Sequence, residues 1–158
     1  MTTYSARPGT GTPARPGRGA RAAYRRFLPI SLRWMDNDVF GHVNNVHYYS
    51  FFDTAVCEFL VGQGILTWRG SEHFMVVAES GCRYHAEVAF PDAISAGLRV
   101  ARLGGSSVRY EIGIFRDGAE LASAEGFFVH VCVDTATRRP TPLPAQWRQA
   151  LQTIAVGE

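Results

Sequence analysis

Val46, Tyr49, Phe52, Val56, Phe59 and Leu60 are apolar at three- and four-residue steps, the period of one face of an α-helix. Asn44 or Asn45 supplies the N-cap, because a short amide side chain accepts from the first unpaired helical N–H groups. Gly62 or Gly64 ends the helix by admitting a left-handed residue. Phe51 and Ala55 widen the apolar stripe, so the helix is expected to be largely enclosed by other structure. Ahead of it, Phe27, Pro29, Ile30 and Leu32 to Trp34 predict a strand that ends in the polar turn Asp36-Asn37-Asp38. After a loop over residues 68–72, four more strands are predicted at 74–90, 94–103, 107–116 and 120–134. Pro91-Asp92, Gly104-Gly105 and Asp117-Gly118 mark the turns between them. In the segment 107–116, Val108, Tyr110, Ile112 and Ile114 alternate with Arg109 and Glu111, which suits a sheet with one buried face. A polar stretch, 135–144, leads to a short helix over 145–154. A long central helix, a five-stranded mostly antiparallel sheet and a short C-terminal helix make an α+β layer architecture.

Composition changes this picture at the N-terminus. Residues 1–22 form an Arg/Pro/Gly-rich tail without apolar periodicity, expected to be disordered, and residues 23–158 form a single domain. All 16 basic residues are arginine; six precede Phe27, leaving ten against 14 acids over residues 27–158, a net charge of −4. The tail can be read as a transit peptide or a nucleic-acid arm, but a solvated tail is preferred, so no nucleic-acid partner is expected. It has no apolar segment of the kind a secretory signal needs. No window of 18 uninterrupted apolar residues occurs, so no membrane span is expected and the protein is expected to be cytoplasmic. Cys57, Cys82 and Cys132 are odd in number and far apart, without a CxxC pair, and read as reduced core thiols, not as metal ligands.

The segment from Asp36 to Tyr48 carries the chemistry. Asp38 stands a few residues before the helix start, where a carboxylate can attack a carbonyl or activate water. The N–H groups of the first helical turn, beside Asn45, have no partner within the helix and can polarise a carbonyl oxygen. Asp36 is read as a turn residue that accepts backbone N–H groups or pairs with Arg33. Gly41 fits a position of positive φ or of close ligand approach.

The run Asp36-x-Asp38-x-x-Gly41-His42-Val43-Asn44-Asn45 resembles the D-x-D-x-x-G-H-V-N-N signature of hotdog-fold acyl-CoA thioesterases, in the 4-hydroxybenzoyl-CoA-thioesterase-like superfamily. The likeness covers residues 27–145. It implies the hotdog fold and hydrolysis of acyl-CoA thioesters to free acid and CoA, with neither cofactor nor metal. It makes Asp38 the general base or the nucleophile, the Asn45 backbone N–H the oxyanion donor, and His42 an accessory residue. It further implies a homodimer, or a tetramer of such dimers, with the active site at the subunit interface. Gly41, Tyr48, Glu79 and Arg83 are candidate substrate contacts, and Phe51, Phe52 and Trp68 candidate acyl-pocket residues. The alternatives are an acyl-carrier-protein thioesterase and a non-catalytic acyl-binding or interaction module. The net-acidic domain favours free CoA esters over a carrier protein, which needs a basic docking face.

Overall fold

The computed structural model describes residues 17–67 and 70–157. Strands β1 (Arg26–Ile30), β2 (His73–Tyr84), β3 (Ile94–Leu103), β4 (Ser107–Arg116) and β5 (Ala124–Asp134) accompany helices α1 (Asn45–Gly62) and α2 (Ala145–Gln152). The strands form one antiparallel sheet in the order β1-β3-β4-β5-β2, so β1 and β2 are its edges. Helix α1 lies on the inner face, and Phe52, Val56 and Phe59 pack in one core with Leu98, Tyr110, Ile112 and Phe128. Helix α2 closes an end of that core with Trp147 and Leu151. This is the hotdog fold.

Several boundaries differ from the sequence reading for identifiable reasons. The first strand stops at Ile30, because the chain tightens into a 3₁₀ turn at Trp34–Asp36 closed by the Asp36 carboxylate. The second stops at Tyr84, where the N–H groups of His85 and Ala86 both donate to Ser123 O, and β5 begins only after that junction. On α1 the buried track is Tyr48, Phe51, Phe52, Ala55, Val56, Phe59 and Leu60. Val46 lies off this track and is 61% exposed, and Tyr49 sits on its flank. One side of the helix, with Ser50, Asp53 and Thr54, is exposed in the single chain, so α1 is less enclosed than its apolar content suggested.

Residues 17–22, assigned by composition to the tail, make defined contacts: Arg18 Nε donates to Ala122 O at 2.9 Å, and Ala20 bridges Leu121. Tyr24 then fills the outer face of the sheet over Gly97 and Gly113. Residues 1–16, the greater part of the expected tail, lie outside the described residues. Among the described residues no helix is long and apolar enough to cross a membrane.

A β-bulge between Val77 and Glu79 resets the alternation of β2. Before it, Met75 and Val77 face inward opposite Cys132 and His130; after it, Ser80, Cys82 and Tyr84 take the inner positions. Glu79, Gly81 and Arg83 are thereby turned to the outer face.

Gly126 permits the close seat of α1 on the sheet, since a Cβ there would run into the Phe52 ring, which is fully buried. Gly126→Ala is therefore expected to destabilise the fold by about 1–3 kcal/mol through overpacking, and Phe52→Ala by about 3–5 kcal/mol through the cavity it leaves. The denaturant midpoint at constant slope measures both.

Candidate active site

The loop between β1 and α1 is held by one buried carboxylate. Asp36 is 1% exposed and accepts from the Arg33 N–H at 2.7 Å, from Arg33 Nε at 3.0 Å and from the terminal guanidinium nitrogen at 2.7 Å. Its own carbonyl accepts from the Asn44 N–H at 2.9 Å, which ties the start of α1 to the same residue. Asn37 Oδ1 accepts from the Phe90 N–H at 3.0 Å, and Val43 N–H donates to Val88 O at 2.8 Å, so the loop is pinned to the segment after β2 as well. Burial alone raises the Asp36 carboxyl, but hydrogen bonds and charge from Arg33 outweigh it and hold it below the usual carboxylate range.

Within this frame Asp38 is half-buried. Its N–H donates to His42 O at 2.9 Å, its carbonyl accepts from Gly41 N–H at 3.0 Å, and Oδ1 accepts from Phe40 N–H at 2.8 Å. Gly41 turns the loop with φ of 84°, in the left-handed region that favours glycine. Asn44, not Asn45, is the N-cap: its side chain accepts from Val46 N–H at 3.1 Å. The Asn45 N–H takes no acceptor among the described residues, while the Asn45 carbonyl accepts from Tyr84 O–H at 3.1 Å.

A cavity of about 280 Å³ opens at this helix start, lined by His42, Asn45, Tyr48, Tyr84, His85 and Glu87 among others. Tyr48 is buried with its ring edge-on to Tyr84, centroids 5.1 Å apart, and burial pushes its hydroxyl up to about 12. His42 Nε2 lies 3.0 Å from Glu87 Oε2, so its side chain engages Glu87, while its tie to Asp38 is through the backbone. Glu87 and Tyr84 line this cavity and were missed by the sequence reading, since both lie in or just beyond a strand whose facing depends on the bulge.

The other candidates fall elsewhere. Glu79 and Arg83 are on the outer face of β2 and do not line the cavity at the helix start. Arg83 there lines a hollow of about 430 Å³ with Arg99, Arg109 and Glu111, in which Arg99 pairs with Glu111 at 2.6 Å. Phe51 and Phe52 are core residues, and Trp68 lies outside the described residues. Among the described residues no cluster of three or more His, Cys, Asp and Glu is arranged to hold a metal ion.

Around the loop, Trp34, Met35, Val39 and Phe40 are 70–94% exposed. Val76 and Val77, toward the other end of the edge strand β2, are also exposed, at 37% and 52%.

The fold and the motif loop at the helix start define a hotdog thioesterase class of protein. The chain belongs to the thioesterase-like superfamily, whose family model matches residues 32–151, and thioester hydrolysis is the reaction class of that family. It is similar to the long-chain acyl-CoA thioesterase FadM of Escherichia coli K12, 23% identical over 126 residues, covering 79% of this chain and 96% of that protein. The crystal structure of the PA5185 protein from Pseudomonas aeruginosa PAO1 is 50% identical with a TM-score of 0.84, covering 88% of this chain and 97% of that one. PA2801, a putative thioesterase from Pseudomonas aeruginosa, is 30% identical with a TM-score of 0.74 over 81% and 98% of the two chains.

Because the Asp36 carboxyl titrates lower in the folded chain, its contribution is complete above the usual carboxylate pKa and fades as pH falls through the folded value. Asp36→Asn is expected to lower stability by about 1–2 kcal/mol at neutral pH, with the difference from wild type narrowing in acid. Thermal unfolding of both proteins from pH 7 to pH 3 measures this.

Proposed function

We propose that the protein hydrolyses acyl-CoA thioesters to a free acid and CoA, with Asp38 as the catalytic residue. The observation that carries this reading is Asp38 held by three hydrogen bonds within its loop, ahead of a helix start whose Asn45 N–H takes no acceptor among the described residues. The thioester carbonyl oxygen accepts from that N–H, and the oxyanion that forms is stabilised by the donor and by the positive end of the α1 dipole. The Asp38 carboxylate either attacks the carbonyl carbon, releasing CoA thiolate and leaving an anhydride that water hydrolyses, or takes a proton from the attacking water. Neither route calls for a metal or prosthetic group. The likeness to an Escherichia coli acyl-CoA thioesterase supports CoA as the carrier.

The functional unit in this reading is a dimer in which two β2 edges pair into one continuous sheet. Two features support it: β2 is an unprotected edge, and the exposed apolar side chains gather along it and around the motif loop. Glu79 and Arg83, on the outer face of that edge, then serve as interface residues first, Tyr48 borders the substrate, and Gly41 shapes the loop that presents Asp38.

Asp38→Asn, nearly isosteric, is expected to keep the fold and the dimer while lowering kcat by about 10²–10⁴, the range of general acid–base contributions. His42→Ala is expected to have a smaller effect, because its partner is the largely exposed Glu87. Thiol release from short, medium, long and aromatic acyl-CoA esters measures both; undiminished turnover by Asp38→Asn refutes the assignment.

A further inference from the structure

A second cavity, of about 160 Å³, lies between the C-terminal half of α1 and the first half of β2. Leu60, Leu66, Met75 and Val77 give it apolar walls, and Asp53, Cys57, Thr67, Ser71, His73 and His130 are its polar members. His130 is 5% exposed, and neither ring nitrogen has a hydrogen-bond partner among the described residues. It occupies an inner position of β5, opposite Val77, with Phe128 stacked on it at 6.0 Å and Tyr110 edge-on at 5.1 Å. Burial drives the imidazole down to about 4, against a weaker opposing influence of Asp53, so at neutral pH it is uncharged, with one nitrogen donating and one accepting. A buried polar group left unsatisfied costs about 1–3 kcal/mol, and an aliphatic side chain at this inner position avoids that cost. The imidazole is therefore placed where an incoming group can use it.

The direction of the edge strand bears on which group that is. If two β2 strands pair antiparallel end to end, the Tyr84 end of one copy, which holds the Asn45 carbonyl, comes beside the His73–Val77 end of the other. The mouth of this cavity in one copy then faces the Asp38 loop of its neighbour. A cavity of about 150 Å³ accommodates a benzene ring, so the space suits an acyl group of ring size or a chain of about six to eight carbons.

We propose that this cavity receives the acyl group of a thioester bound at the other copy's Asp38, and that His130 hydrogen-bonds an oxygen carried on that acyl group, so that the preferred substrates are thioesters of hydroxy- or oxo-acids. This rests on the thioesterase reading and on the edge-paired dimer, and adds the class of acid to them.

The test compares matched CoA esters, octanoyl with 7-hydroxyoctanoyl and phenylacetyl with 4-hydroxyphenylacetyl, on wild type, His130→Phe and His130→Gln. Wild type is expected to favour at least one hydroxylated partner by about tenfold in kcat/KM, consistent with a gained hydrogen bond to a buried group. His130→Phe is expected to bring that ratio to about one with no lower unfolding midpoint, and His130→Gln to retain part of it. A wild-type ratio at or below one for both pairs, or a ratio unchanged in His130→Phe, overturns the proposal. Turnover of no ester by wild type sinks the thioesterase reading instead, and calorimetric affinities for the non-hydrolysable thioether analogues of the same pairs still decide the role of His130. Mixed dimers of Asp38→Asn and His130→Phe chains, isolated by two tags, contain one intact composite site and are expected to regain the hydroxyl preference. Mixed dimers that stay unselective refute the pairing of His130 with the other copy's Asp38.

Discussion

The seating of Phe52 over Gly126 sets the height of α1 above the sheet, and the position of the site follows from it. With no Cβ at residue 126, the fully buried Phe52 ring presses onto the β5 backbone and meets Phe128 edge-on. The rest of the buried track, Val56 and Phe59 toward one end and Tyr48 toward the other, then lies at one depth against β3 to β5. Because an α-helix is stiff over its 18 residues, fixing its middle also fixes its first turn. That turn lands beside Tyr84, whose hydroxyl reaches the Asn45 carbonyl. In the proposed mechanism the Asn45 N–H would have to be held to within a fraction of an ångström to stabilise an oxyanion, and the core is what fixes its position.

The loop has a separate anchor in Asp36, which satisfies three donors on Arg33 and is buried where Asp38 is not. Two acids two residues apart thus divide the work. One spends its charge on local structure, and the other keeps a carboxylate oxygen available in a setting fixed by its neighbours. Polar anchoring also explains how the loop tolerates Trp34, Met35, Val39 and Phe40 exposed around it: its geometry does not depend on burying them in the single chain. They remain exposed on the surface of the single chain.

The sequence was most informative where local chemistry decides the outcome. Asn44 caps α1, Gly41 takes positive φ, Asp36 pairs with Arg33, and β3 and β4 run over the residues that alternation and turn signals predicted. It was least informative where a long-range pairing decides. The facing of Glu79 and Arg83 relative to Met75 and Val77 turns on one extra residue in β2, and a bulge leaves no mark in the alternation of a mixed segment such as Val77-Ala78-Glu79-Ser80. Likewise His42 meets Glu87 only because Val43 pairs with Val88, a contact across the fold. The placement of Val46 and Tyr49 in the core failed for a simpler reason: a three-residue step falls short of a full turn and drifts around the helix.

The same bulge bears on how a site at one end of α1 can communicate with a cavity at the other. Ahead of it, β2 aims Met75 and Val77 inward to line the cavity with His130; beyond it, the strand aims Tyr84 inward to the helix start. Without the extra residue one of these two sets would face outward, so the strand can serve both ends of the helix only by changing phase in its middle. In a single chain the two ends are separated by most of the length of α1, roughly 20 Å or more at 1.5 Å per residue. The proposed antiparallel pairing of β2 with its own copy would bring unlike ends together, motif loop against cavity, and would do so twice by symmetry. Within one chain the His130 ring packs against Phe128 and Tyr110 while its two nitrogens find no hydrogen-bond partner among the described residues; in the proposed dimer the end of a substrate arriving from the other copy would supply one.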